Sequence, residues 1–225
     1  MMRRIGRTGF SLLELLAVLA VLTILAVLAG PSISSALNGS SLTQASSNVV
    51  QLLTFARQSA LAQNQSVEVR FYQYADPTFP GETAGTASSG KYRALQAFAI
   101  SDAAAATPIG KMERLPLGII IDSGATLSSI IGSSSAKTGT STSPPPWTTT
   151  APQLALPGIG TAYNCIVVRF RPDGSITFYP SSSTPSNWCL TLHSFKYGDA
   201  LAATPANFAT IQVDPIAGKI STFRP

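Results

Sequence analysis

The sequence predicts an α+β fold in which one long N-terminal α-helix, a transmembrane half followed by an amphipathic half, packs on an antiparallel β-sheet. Three observations predict it. An apolar run from Phe10 to Ala29 is interrupted only by Ser11, Glu14 and Thr23. Leu42, Ala45, Val49, Leu52, Leu53, Ala56 and Ala60 then recur at three- and four-residue spacing. From Val67 onward, short alternating segments are separated by Gly- and Pro-containing turns.

The first element is the apolar run. Its length matches a bilayer core, because about 20 helical residues rise about 30 Å. Arg3, Arg4 and Arg7 precede the run and no basic residue follows closely. The positive-inside rule therefore predicts a cytoplasmic N-terminus and an exported remainder. A cleaved secretory signal is the competing reading, with Val27-Leu28-Ala29 as its small-residue site. Glu14 speaks against it, since a carboxylate costs about 2.5 to 3.5 kcal/mol at a bilayer centre and a plain signal has no use for one.

Gly30-Pro31 is expected to kink or loosen a straight helix. Beyond it, the spacing of Leu42 to Ala60 marks one apolar face of an amphipathic helix ending near Asn64. A continuous helix from Phe10 to Gln63 would measure about 80 Å.

The strands come next. Val67, Val69 and Phe71 alternate with Glu68, Arg70 and Tyr72, and a second run covers Tyr92 to Ile100. Further strands are expected at Gly118 to Asp122, Ile166 to Arg171, Ser175 to Tyr179, Trp188 to His193, Ala209 to Val213 and Lys219 to Phe223. Pro172-Asp173-Gly174 and Pro215-Ile216-Ala217-Gly218 read as the turns of two hairpins. Between Ser123 and Ala162, sixteen residues are Ser or Thr and only Lys137 is charged, with Pro144-Pro145-Pro146 in the middle. Such a stretch buries too little apolar surface to offset its chain entropy, so it is expected to be a flexible insertion.

Composition narrows the function. Charged residues are 11% of the 225, less than half the about 25% usual in soluble domains, so Ser, Thr, Gly and Pro must cover the surface. The formal charge of +5 includes the three N-terminal arginines. The remainder of the chain is thus close to neutral and gives little support to a nucleic-acid surface. Two cysteines and one histidine cannot assemble a Cys/His zinc site, and no cofactor is expected. His193 is the only histidine, and no Gly-x-Ser-x-Gly elbow accompanies the many serines. A secreted hydrolase is therefore a remote reading, and no catalytic residue is assigned.

Gly9-Phe10-Ser11-Leu12-Leu13-Glu14, behind a basic leader and ahead of the apolar run, resembles the prepilin signature of type IV pilins and type II secretion pseudopilins. Downstream, Leu53 to Asn64, Leu115-Pro116-Leu117-Gly118, Phe170-Arg171-Pro172-Asp173-Gly174 and the closing Val213 to Pro225 segment resemble the H-type pseudopilin and FimT-like minor pilin domain. The size and the insertion are also similar to the prepilin-like group called Verru_Chthon cassette protein D. The resemblance implies a pilin-like fold divided into a leader at 1–9, a transmembrane and filament-core helix at 10–30, an amphipathic helix at 31–65 and an exported sheet domain at 66–225, with the insertion at 123–162. It implies a structural minor subunit and not an enzyme. A prepilin peptidase would cut between Gly9 and Phe10 and methylate the new amine of Phe10. Pro31 would be the helix-loosening proline, and Glu14 would meet an N-terminal amine during assembly. The implied partners are the prepilin peptidase, the inner membrane crossed once, and other subunits of a secretion pseudopilus or pilus-like filament.

Three further readings stay open at this stage. Cys165 and Cys189 are expected on adjacent strands of an exported domain, where a bridge would contribute about 3 to 4 kcal/mol; two separate buried thiols are the alternative. Lys196, Lys219 and Arg224 are a weak candidate contact for DNA or a surface ligand. An adhesive module built on the sheet and the insertion is the corresponding alternative function.

Overall fold

The computed structural model describes residues 11–83, 85, 89–101, 106–132, 137–138, 155–179 and 188–225, with backbone alone at 26–36, 137–138 and 178–179. The first helix, α1, spans Leu12–Gln63. Ser11 starts it: the Ser11 carbonyl accepts the Glu14 and Leu15 amides at 3.1 and 3.2 Å, and Ser11 Oγ accepts the Glu14 amide at 3.2 Å. The helix runs on through Pro31 and stops where Asn64 turns left-handed, φ 49°. From Leu42 to Ala60 the apolar positions foreseen from their spacing are all buried.

Eleven described strands form one sheet. They are β1 (Val67–Tyr74), β2 (Lys91–Ile100), β3 (Ala106–Pro108), β4 (Glu113–Arg114), β5 (Ile119–Ile121), β6 (Lys137–Thr138), β7 (Asn164–Phe170), β8 (Ile176–Tyr179), β9 (Cys189–Ser194), β10 (Phe208–Val213) and β11 (Ile220–Phe223). The order is β11-β10-β9-β5-β2-β1-β7-β6, with β3 and β4 paired to β2 and β8 paired to β7. Every pairing is antiparallel. A short helix, α2 (Ser129–Gly132), follows β5.

One face of the sheet packs on α1. Val67, Val69 and Phe71 of β1, Ile166, Val168 and Phe170 of β7, Leu190 and Leu192 of β9 and Ala209, Ile211 and Val213 of β10 share a core with Leu42, Val49 and Leu53. The other face carries a second cluster of Tyr72, Tyr74, Phe98, Ile100, Leu156, Tyr163 and Cys165. Both faces of β1 are therefore buried. The two ends of the sheet also approach each other: the Ile176 amide donates to the Pro215 carbonyl at 2.8 Å. Gly218 (φ 62°) permits this approach, because a Cβ there would lie 2.4 Å from the Gly174 carbonyl oxygen.

Three expectations need correction. The described strands form one antiparallel sheet, and among the described residues no helix is long and apolar enough to cross a membrane. The chain also divides into two compact units, Met1–Ser40 and Ser41–Pro225. The expected α+β architecture, a long N-terminal helix with a transmembrane half and an amphipathic half packed on an antiparallel sheet, is thus overturned: no described helix qualifies as a span, and only the α1 residues after Ser40 belong to the sheet unit.

The second correction concerns the cysteines. Cys165 and Cys189 are both free. They lie on β7 and β9, and β1, β2 and β5 stand between those strands. Four strand spacings amount to about 19 Å along the sheet, far beyond the about 7 Å limit for bridged Cα atoms. The third concerns the stretch read as a flexible insertion. Its beginning is part of the core, with Leu127, Ile130 and Ile131 buried, and Leu156 near its end is buried in the outer cluster. Most of its middle lies outside the described residues.

Candidate assembly surface

Gly9 and Phe10, the expected processing site, lie outside the described residues. The description begins at Ser11, and the Ser11-Leu12-Leu13-Glu14 segment has the spacing of a capping box. Glu14 stands in the first turn of α1, where the helix dipole favours a carboxylate, and its side chain is exposed. Pro31 sits inside α1 with only its backbone described.

Exposure, not a pocket, sets the character of this end. Leu12, Leu13, Leu15, Leu16, Val18, Leu19, Val21, Leu22, Ile24 and Leu25 are all exposed, Leu12 by 82%. Consecutive positions point around the whole helix, so the apolar surface is not a stripe. Removing one such side chain from water is worth about 1.5 to 3 kcal/mol, so the ten together represent about 15 to 30 kcal/mol. That exceeds the about 5 to 15 kcal/mol net stability of a whole domain. A surface of this size implies an apolar environment supplied by something else.

The sheet unit contributes charge. Glu82 and Arg93 form a bidentate pair, with Arg93 Nη1 and Nη2 each donating to a Glu82 oxygen at 2.6 Å, and both side chains are nearly buried. The Arg93 guanidinium stacks 4.3 Å from the Phe79 ring centroid and 5.5 Å from that of Phe195. On β1, Glu68 accepts from Arg70 at 3.1 Å and from Arg169 of β7 at 2.5 Å, and it is fully buried. Alternation along β1 places Glu68 and Arg70 on the face away from α1. Alternation alone does not tell whether that face is covered, and here it is. The acid and base two residues apart on one strand face were the available signal.

His193 is fully buried as well. Its Nε2 lies 3.0 Å from Asp122 Oδ2, and its Nδ1 lies 3.0 Å from the Ser194 carbonyl. The Leu201 amide donates to the same Asp122 oxygen at 3.0 Å. The pair ties the end of β9 to the loops after β5 and before β10. Both ring nitrogens of His193 and one Asp122 oxygen are thus engaged in joining these segments.

Cys165 is buried against Tyr72 and Tyr163, and burial pushes its thiol up to about 12. Cys189 is half-buried, with Sγ 3.5 Å from Ser129 Oγ. Lys196, Lys219 and Arg224 fall on separate features: a 3-10 turn after β9, the turn before β11 and the residue after β11. Arg224 is engaged by Thr43 and Asn207.

No protein-family model, no curated protein and no solved structure matches this chain.

Proposed function

We propose that the chain is a structural, non-enzymatic minor subunit of a type II secretion pseudopilus or type IV pilus-like filament. In this reading a prepilin peptidase removes residues 1–9 and methylates Phe10. The apolar run then holds the chain at the inner membrane, N-terminus cytoplasmic and sheet unit outside, before the same run packs among other subunits. The reading is supported chiefly by the all-round apolar surface of Leu12–Leu25, which begins directly after the Gly9-Phe10 signature. Lipid and a helix-lined filament core are both dry, so one surface suits both.

Glu14 has a stated task in this reading. After cleavage the ammonium of Phe10 lies about one turn away, and a carboxylate on the first turn offsets a cation that the helix dipole disfavours there. Mass spectrometry of the chain from cells supplying a prepilin peptidase should find a mature N-terminus at methylated Phe10. A start at Gly30 or an uncut chain would overturn the reading. Glu14→Ala should leave cleavage largely intact and reduce incorporation into filaments by about tenfold or more; normal incorporation, read by immunoblotting of sheared filaments, removes the role given to Glu14.

A further inference from the structure

The β10–β11 hairpin brings four polar side chains together at its turn end. Ile211 and Val213 belong to the core that packs on α1, so alternation places Gln212 and Asp214 on the opposite side. Ser221 stands opposite Gln212 in the ladder. Lys219 stands opposite Asp214, whose amide donates to the Lys219 carbonyl at 2.8 Å. The two cross-strand pairs are therefore neighbours, and with Trp188 and Ile216 they line a cavity of about 460 Å³. That volume falls within the about 300 to 1,000 Å³ of small-molecule sites. Trp188 is fixed at the start of β9, where its carbonyl accepts the Val213 amide at 2.8 Å; its side chain packs on the core and stays half-buried. Ile216, in the turn, is 82% exposed.

The charge of this cavity is balanced. Asp214 Oδ1 accepts the Ile216 and Ala217 amides at 2.8 and 3.1 Å, and these bonds, with Lys219 nearby, hold the carboxyl below the usual carboxylate range. Asp214 is thus an anion at neutral pH, and the Lys219 ammonium offsets it locally. Among the described residues no third charge lines the cavity. What the lining offers is hydrogen bonding to neutral groups: Asp214 Oδ2 accepts, Lys219 donates, and the Gln212 amide and Ser221 hydroxyl do both. Trp188 and Ile216 supply the apolar part.

We propose that this cavity binds a neutral saccharide, one face of a sugar ring lying on Trp188 and Ile216 and its hydroxyls pairing with Gln212, Asp214, Lys219 and Ser221. A sugar ring has the matching composition. Its C–H groups make an apolar face, and an aromatic side chain meets that face with little rotamer entropy to lose. Each hydroxyl at its edge both donates and accepts, so an acceptor-only carboxylate and a donor-only ammonium are served by the same ligand. An anionic polymer would need surplus cations, which this lining lacks. The site lies wholly within Ser41–Pro225, so the inference goes beyond the subunit reading and does not depend on cleavage or assembly.

The test places the full-length chain, in a detergent whose headgroup is not a sugar, on an array of neutral di- to hexasaccharides, with anionic glycans and single-stranded DNA alongside. At least one neutral saccharide should bind, and its Kd should change less than about twofold between low salt and about 0.5 M NaCl, since no net charge is neutralised. Gln212→Ala with Lys219→Ala, both at exposed positions, should weaken binding by about tenfold or more while circular dichroism stays unchanged. In a Trp147→Phe background Trp188 is the only tryptophan, and the bound saccharide should shift its fluorescence emission. Failure of every neutral saccharide to bind, binding that the double variant leaves intact, or an unmoved Trp188 emission overturns the proposal. So does binding confined to anionic glycans or DNA that is lost at high salt. None of these readouts involves cleavage at Phe10, so such a failure leaves the subunit reading standing.

Discussion

Among single residues, Arg93 combines a nearly buried ion pair with contacts to two aromatic rings. Its side chain is held flat between a bidentate carboxylate and two aromatic rings. Removing one member of a buried ion pair leaves the other charge uncompensated, at a cost of about 3 to 5 kcal/mol. Glu82→Gln should lower unfolding stability by that order in chemical denaturation, whereas an exposed change such as Lys111→Gln should shift it by less than about 0.5 kcal/mol. Cys165 gives a second prediction. Its thiol stays protonated to about 12 when folded, against an ordinary value of 9.0. The folded chain therefore binds more protons than the unfolded chain between those values, and stability falls as pH rises above about 9. Burial of Tyr72 and Tyr92 acts in the same direction. Alkylation at pH 8 should spare Cys165 in the native chain and label both thiols after denaturation; no labelled thiol after denaturation would restore the bridge.

These residues also show what the sequence hid. Glu68, Arg70 and Arg93 were readable as strand residues, but not as buried ones. Alternation tells which side chains share a face, and it does not tell whether a second layer covers that face. The layer over Glu68 and Tyr72 is built in part from Leu156 and Tyr163, about 90 positions away in the chain, with no local pattern to announce it.

Among elements, the helix after Leu42 and the longer strands were legible because each carries its own periodicity and its own turn. Pro172-Asp173-Gly174 and Pro215 to Gly218 do close the expected hairpins. The strands β3, β4 and β6 were not legible, since two or three residues are too few for a period and their pairing comes from long partners. The same holds for α2, a single turn within a Ser-rich stretch. The pairing of Cys165 with Cys189 failed for a related reason: neighbours in sequence order are not neighbours in the sheet once β9 pairs with β5 and β7 with β1. Gly218 is the element-scale position most sensitive to change. Gly218→Ala adds a Cβ both to a left-handed backbone and against the Gly174 carbonyl. A loss of about 1 to 3 kcal/mol is expected from thermal or urea unfolding, with a loss near zero implying that the two hairpin turns are not in contact.

For the molecule as a whole, the division at Ser40 is the main fact. A chain beginning at Ser41 keeps the described core, including Leu42. Its circular dichroism should retain the strand signal, and its melting temperature should lie within a few degrees of the parent's. A collapse of either would mean that the first unit supports the second. The apolar run of Leu12–Leu25 then becomes separable from the fold, as a surface with a task of its own.

The hydrogen bond from Ile176 to Pro215 has a consequence in time. It joins the β7–β8 hairpin to the β10–β11 turn, while β5, already paired with β2, must wait for β9, about 70 residues later, before its other edge is paired. Contacts of such long sequence separation form slowly, because the loop entropy is spent before the pairing repays it. A chain still being synthesised cannot close this sheet until β10 and β11 are free. The sheet unit is thus complete only once β10 and β11 have paired.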